Sequence, residues 1–100
     1  NNDNITSQLR SFRNEIDNYD MKILELLMRR EDIVKKIANL KHLNGITVFQ
    51  LKRWFEILET RKEQGKKLDL DENFVYELFE IIHKYSILKQ TKMLQIFQAN

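Results

Sequence analysis

Residues 23–41 read "ILELLMRREDIVKKIANLK", and the rhythm of this stretch decides the fold class. Apolar side chains recur at Ile23, Leu26, Ile33, Ile37 and Leu40 in steps of three and four, the repeat of a helix that lays one face against other helices. Where the rhythm asks for the next apolar group after Leu26, the chain supplies Arg30. Leu9, Phe12, Ile16 and Tyr19 carry the same repeat towards the N-terminus, so the whole run is a heptad seam, broadened on one flank by Leu27 and Val34. The helix is expected from about Ile5 to about Leu43, roughly 55–60 Å at the usual rise. A compact chain of this size has a radius of gyration of only about 13 Å. Such a helix overhangs its own domain, which favours an intertwined dimer.

The composition agrees with an all-α fold. In 100 residues there is no proline and there are two glycines, with 42% hydrophobic and 32% charged side chains, a balance suited to long uninterrupted helices rather than a many-turned sheet. The length suits a single domain, 1–100. With no cysteine, disulfides and thiolate chemistry are excluded, and a cytoplasmic setting is the default expectation. No apolar run approaches the roughly 18 residues of a membrane span. The N-terminal "NNDNITSQLR" lacks the order of a signal peptide, and the chain begins without Met, as a domain cut from a longer protein would. A net charge of +2, with both signs interleaved, does not describe a nucleic-acid surface.

Asn44 and Gly45 are the first break, since both tolerate the left-handed conformation that closes a helix. The stretch from Thr47 to Gln50 then fits a capping box, which predicts a second helix over about 48–64, ending near Gly65, with Leu51, Trp54, Phe55 and Leu58 facing the core. In "KKLDLDEN", residues 66–73, Asp69 or Asp71 could cap a third helix over about 71–97. Its stripe is Val75, Phe79, Ile82, Met93 and Phe97, with Ser86 and Gln90 in the turns between Ile82 and Met93.

Polar groups therefore interrupt two apolar faces. Arg30 can be read as a seam residue that sets register or oligomeric state. It can equally be read as the receptor of an anion, because a guanidinium facing inward needs a negative partner and Glu25, Glu31 and Asp32 all lie off the seam. Ser86 and Gln90, four apart, share one helical face and suit either helix–helix hydrogen bonds or a ligand. Lys41 lies close to the face of Arg30 about three turns on, and Arg13 lies on its flank well before it; either alone reads as a solvated charge. His42 stands at a helix end, and His83 has no second histidine or acid at metal spacing, so no metal site is expected. There is no glycine-rich phosphate loop and no nucleophile with an adjacent base.

Taken together, "LRSFRNEIDNYDMKILELLMRR" (9–30), "IVKKIANLK" (33–41), "GITVFQLKRW" (45–54) and "YELFEIIHKYSILKQTKML" (76–94) resemble the all-helical (AroQ) class of chorismate mutase. Each motif is weak alone, and their order and spacing are specific. Residues 47–70 further resemble mutase domains fused to DAHP synthase. The resemblance implies an intertwined three-helix homodimer with two shared active sites that rearranges chorismate to prephenate without cofactor or metal. It also implies roles. Arg13 would reach the partner's site and Arg30 its own site, each to bind a substrate carboxylate. Lys41 and Gln90 would donate to the ether oxygen from opposite sides, and Ser86 and Arg53 would stand near substrate. Trp54 occupies a position where the family often has a glutamate that holds the substrate hydroxyl, and Gln50, one turn earlier, could take over that task. The alternative function is a non-catalytic helical module that dimerises or regulates an attached enzyme.

Overall fold

The structure, a computed structural model, describes residues 2–99 and the side chains of residues 2–97. Three helices are present, α1 (Asn2–Asn44), α2 (Leu51–Lys67) and α3 (Glu72–Ala99), and among the described residues there is no strand. The all-α expectation holds. None of these helices is long and apolar enough to cross a membrane. The chain divides by its contacts into two units, Asn1–Asp32 and Ile33–Asn100.

The first unit is the N-terminal part of α1. The helix begins at Asn2 rather than near Ile5, because nothing in the opening residues breaks it. Thr6 Oγ1 donates back to the Asn2 carbonyl at 2.8 Å, and Asp3 suits the positive end of the helix dipole. Further along, Arg29 pairs with Glu25 at 2.9 Å. Every side chain from 2 to 29 is exposed, the seam residues Leu9, Phe12, Ile16, Tyr19, Ile23 and Leu26 among them. A single helix cannot cover its own apolar stripe, so burial of this seam requires another surface.

In the second unit the end of α1 joins α2 and α3. Here α1 buries Val34 and Ala38, while Ile33, Ile37 and Leu40 stay exposed. Within the chain the covered face is thus the flank of the heptad seam and not the seam itself. The helix closes at Gly45, whose φ of 63° is the left-handed conformation. Ile46 N–H reaches back to the Lys41 carbonyl at 2.9 Å and Gly45 N–H to that of His42 at 3.4 Å, the paired bonds of a Schellman motif.

Two expectations for α2 are corrected. It starts at Leu51, with Gln50 as an extended N-cap residue (φ −124°, ψ 111°) whose side chain makes no capping bond, so no capping box forms. Residues 46–50 stay non-helical because the Val48 carbonyl is taken by Lys41 and the Phe49 ring lies against His83. At its other end α2 runs through Gly65 to Lys67. Gly65 does not stop the helix. It is buried against Val75 of α3, and an added Cβ there would stand 2.8 Å from Val75 Cγ2. The stop comes from Asp69, at φ 59°, with Asp69 N–H bonded to the Lys66 carbonyl and Leu70 N–H to that of Gly65, both at 3.0 Å.

Turning Gly65 towards α3 also sets which face of α2 is inward. Ile57 is 2% exposed, Trp54, Leu58 and Arg61 are half-buried, and Leu51 and Phe55, expected in the core, lie open to solvent. Arg61 places its guanidinium 5.7 Å from the centre of the Phe79 ring across the helix pair. Between the two helices, Asp71 rather than Asp69 caps α3, its Oδ1 accepting from Phe74 N–H at 2.9 Å. Lys62 and Glu72 pair at 2.8 Å on the surface of the same junction.

On α3 the inward stripe is the one read from sequence. Val75 is buried, Phe79, Ile82, Met93 and Phe97 are half-buried, and the polar Ser86 and Gln90 are buried between them. Near the C-terminal ends of α1 and α3, His42 stacks on Phe97 with ring centres 4.5 Å apart.

Candidate functional site

Lys41 sits at the last turn of α1, on the same face as Val34 and Ala38, so the packing that buries those two directs its side chain towards α3. Its ammonium donates to Gln90 Oε1 at 2.9 Å and to the Val48 carbonyl at 2.6 Å. Two of its three N–H donors are thereby used and one remains. Burial of this half-covered ammonium lowers its pKa from the ordinary 10.5. Both partner atoms are oxygen acceptors.

Gln90 is 5% exposed. Because its Oε1 accepts from Lys41, the amide is oriented and its NH2 group, with two donors, points away from the lysine. Ser86, one turn earlier on the same stripe, is 7% exposed, and its hydroxyl donates to the Ile82 carbonyl at 3.0 Å. A serine bonded to its own helix in this way must rotate before it can donate to a ligand. Lys41 and Gln90 are thus brought into contact, with Ser86 one turn away on the same stripe, and this set of positive charge and amide donors suits an electron-rich atom.

The other expected residues are mostly exposed. Gln50 and Arg53 are exposed at the start of α2, with Arg53 3.6 Å from Glu56 on its own helix. Gln50, released from capping, keeps its amide available. Arg13 and Arg30 belong to the first unit, where Arg13 is exposed and Arg30 half-buried.

Trp54 and His83 form a feature that was not legible beforehand. Their rings stack with centres 4.7 Å apart at 14°, and the Phe49 ring meets the same imidazole at 6.3 Å and 56°. His83 is 8% exposed. The available signal was its spacing, three residues before Ser86 and seven before Gln90, on the same helical stripe. Trp54 is turned towards this histidine.

The family described as chorismate mutase type II matches residues 12–91. A bifunctional chorismate mutase/prephenate dehydratase of Buchnera aphidicola subsp. Schizaphis graminum is 37% identical over 91% of this chain and 24% of its own length. The Escherichia coli K12 protein of the same description is 31% identical over 87% of this chain and 22% of its own length. The chain therefore spans about a quarter of these bifunctional relatives. A chorismate mutase of Methanocaldococcus jannaschii is 31% identical over 83% of this chain and 86% of its own length.

Proposed function

The chain belongs to the type II chorismate mutase family, and from that membership we propose that it is an isomerase converting chorismate to prephenate in aromatic amino acid biosynthesis. The observation that carries the reading is the bond from Lys41 to Gln90, which joins groups 49 positions apart and orients a buried amide beside an ammonium. The rearrangement is a [3,3] shift within one molecule. A C–O bond breaks as a C–C bond forms, and no proton, nucleophile or electron carrier enters the balance.

What remains for the protein is conformation and charge. Chorismate is a dianion that must fold into a compact shape, and two guanidinium groups on its two carboxylates would hold that shape. Arg13 and Arg30 are assigned to this task, with Ser86 and Arg53 alongside. As the C–O bond breaks, negative charge gathers on the ether oxygen. The remaining N–H of Lys41 and the outward NH2 of Gln90 would bind that charge more strongly than they bind the ground state, and this difference lowers the barrier. Gln50, free of capping, would hold the substrate hydroxyl, because Trp54 is occupied with His83.

The exposed seam of residues 9–26 supports an intertwined homodimer, in which a second copy covers the stripe and contributes its Arg13 to the site. On this reading residues 1–100 act as one domain completed by its partner, in the cytoplasm. The bifunctional relatives reported above join the mutase to prephenate dehydratase. A DAHP synthase fusion rests only on the resemblance of residues 47–70.

Incubating the protein with chorismate and following the loss of its ultraviolet absorbance tests the function. Turnover that falls by about two to three orders of magnitude in Gln90→Ala, as for loss of an oxyanion donor, supports the reading. Absence of turnover in the wild-type protein favours the non-catalytic helical module instead.

A further inference from the structure

We propose that His83 is a positioning residue for this reaction, holding through Phe49 and Trp54 the connection whose Val48 carbonyl anchors Lys41. The inference rests on the chorismate mutase reading above. Its starting point is the connection itself. Main-chain bonds secure the connection at its two ends, Ile46 N–H to the Lys41 carbonyl and Trp54 N–H to that of Gln50. Among the described residues no main-chain bond joins residues 47–49 to the rest of the backbone. Yet the Val48 carbonyl is held 2.6 Å from Lys41 Nζ. Side chains must therefore fix it, and the aromatic rings on either side of residues 50–53 both close on the His83 imidazole.

His83 is well placed for this. It is buried on the α3 stripe that carries Ser86 and Gln90, so the same rigid helix holds the amide that meets Lys41 and the ring that holds the second acceptor of Lys41. The near-parallel stack on Trp54 fixes the first turn of α2, and the tilted Phe49 contact fixes the residue next to Val48. Loss of the imidazole frees both rings. The carbonyl then drifts, Lys41 keeps only Gln90 as an acceptor, and its third donor loses its aim. Lys41 acts on charge that develops in the transition state, so the loss falls on kcat rather than on KM.

The test is steady-state turnover of chorismate by the full-length protein carrying His83→Leu, His83→Phe, Trp54→Leu or Trp54→Phe, with helicity checked by circular dichroism. His83→Leu is expected to lower kcat by at least about tenfold, since a 1 Å misplacement can cost up to about a hundredfold, while KM changes much less. His83→Phe keeps a planar ring under Trp54 and is expected to recover most of kcat. If His83→Leu does not fold, the half-buried Trp54 pair decides, with Trp54→Phe retaining kcat and Trp54→Leu losing it. A His83→Leu kcat close to wild type, or equal losses in the ring-keeping and ring-removing variants, overturns the proposal. Wild-type protein without turnover removes the mutase reading and this inference with it. Active wild type with indifferent variants removes the inference alone.

Discussion

Replacing Gly65 by alanine tests the contact that rotates α2 against α3. The new Cβ would stand 2.8 Å from Val75 Cγ2 and 3.4 Å from Cγ1. Carbon atoms rest comfortably at about 3.5–4.0 Å, so the nearer contact needs roughly 0.7 Å of relief or more. Val75 cannot turn aside cheaply, because a β-branched side chain in a helix has one strongly preferred rotamer and this one is 4% exposed. The helices must separate instead, at an overpacking cost of about 1–3 kcal/mol. Against that, alanine in a helix interior returns about 0.5–1 kcal/mol relative to glycine. The net loss is roughly 0–2.5 kcal/mol, which for a domain of this size lowers Tm by up to about 20 °C. Thermal unfolding by circular dichroism, at one fixed protein concentration because association would shift Tm, measures it. Gly65→Ala combined with Val75→Ala removes the opposing methyl groups, and the pair is expected to be less destabilised than the sum of the single changes by about 1 kcal/mol. A Gly65→Ala protein more stable than wild type, or strictly additive changes, would refute the close-approach argument.

Other outcomes are expected at the site and the caps. Activity should be flat through neutral pH, since Gln90 does not titrate, and should fall on the alkaline side at a pH below the ordinary lysine value of 10.5, because burial lowers the Lys41 pKa. Stability moves the opposite way. The unfolded chain binds more protons between the lowered and the ordinary value, so the desolvation penalty on Lys41 is present below that window and is relieved as pH rises through it; pH–rate profiles and denaturant unfolding across the same range separate the two. Asp71→Ala should cost about 1 kcal/mol through loss of the α3 cap, read by urea unfolding, and an unchanged midpoint would exclude that cap as a contributor. Mixing an Arg13→Ala chain with an Arg30→Ala chain should restore turnover through hybrid dimers, and no recovery despite demonstrated subunit exchange would count against shared sites.

Particular residues show where sequence reading succeeds and where it stops. Gly45 was legible, and the α3 cap was narrowed to Asp69 or Asp71, because these effects act within a few residues, one by admitting positive φ and the other by meeting an N–H three positions on; the structure chose Asp71. The polar stripe of Ser86 and Gln90 was legible because helical periodicity puts residues four apart on one face. Gly65 was expected near the end of α2, which runs two residues past it, but its part in admitting α3 was not legible, since a glycine that admits a neighbouring helix shows nothing until the neighbour is known. Leu51 and Phe55 were expected in the core and lie open to solvent, because the inward face of α2 follows from where Gly65 meets Val75. The expected capping box at Thr47 failed for a related reason. Lys41 at the end of α1 and His83, distant in sequence, take hold of Val48 and Phe49 and keep them out of the helix.

By itself the sequence determined three helices, an N-terminal helix long enough to carry an apolar seam, the glycine that closes α1, a pair of aspartates from which the cap of α3 is drawn, and polar groups set into apolar faces. These follow from backbone sterics and from a period of 3.6, which operate between neighbours along the chain. The tertiary structure alone decided that Lys41 donates to Gln90 across 49 positions, that Val34 and Ala38 rather than the seam are covered within the chain, and that Trp54 stacks on His83. Those outcomes depend on how each helix is rotated about its axis when it packs. That rotation is set by pairs such as Gly65 and Val75, whose meeting no local pattern records.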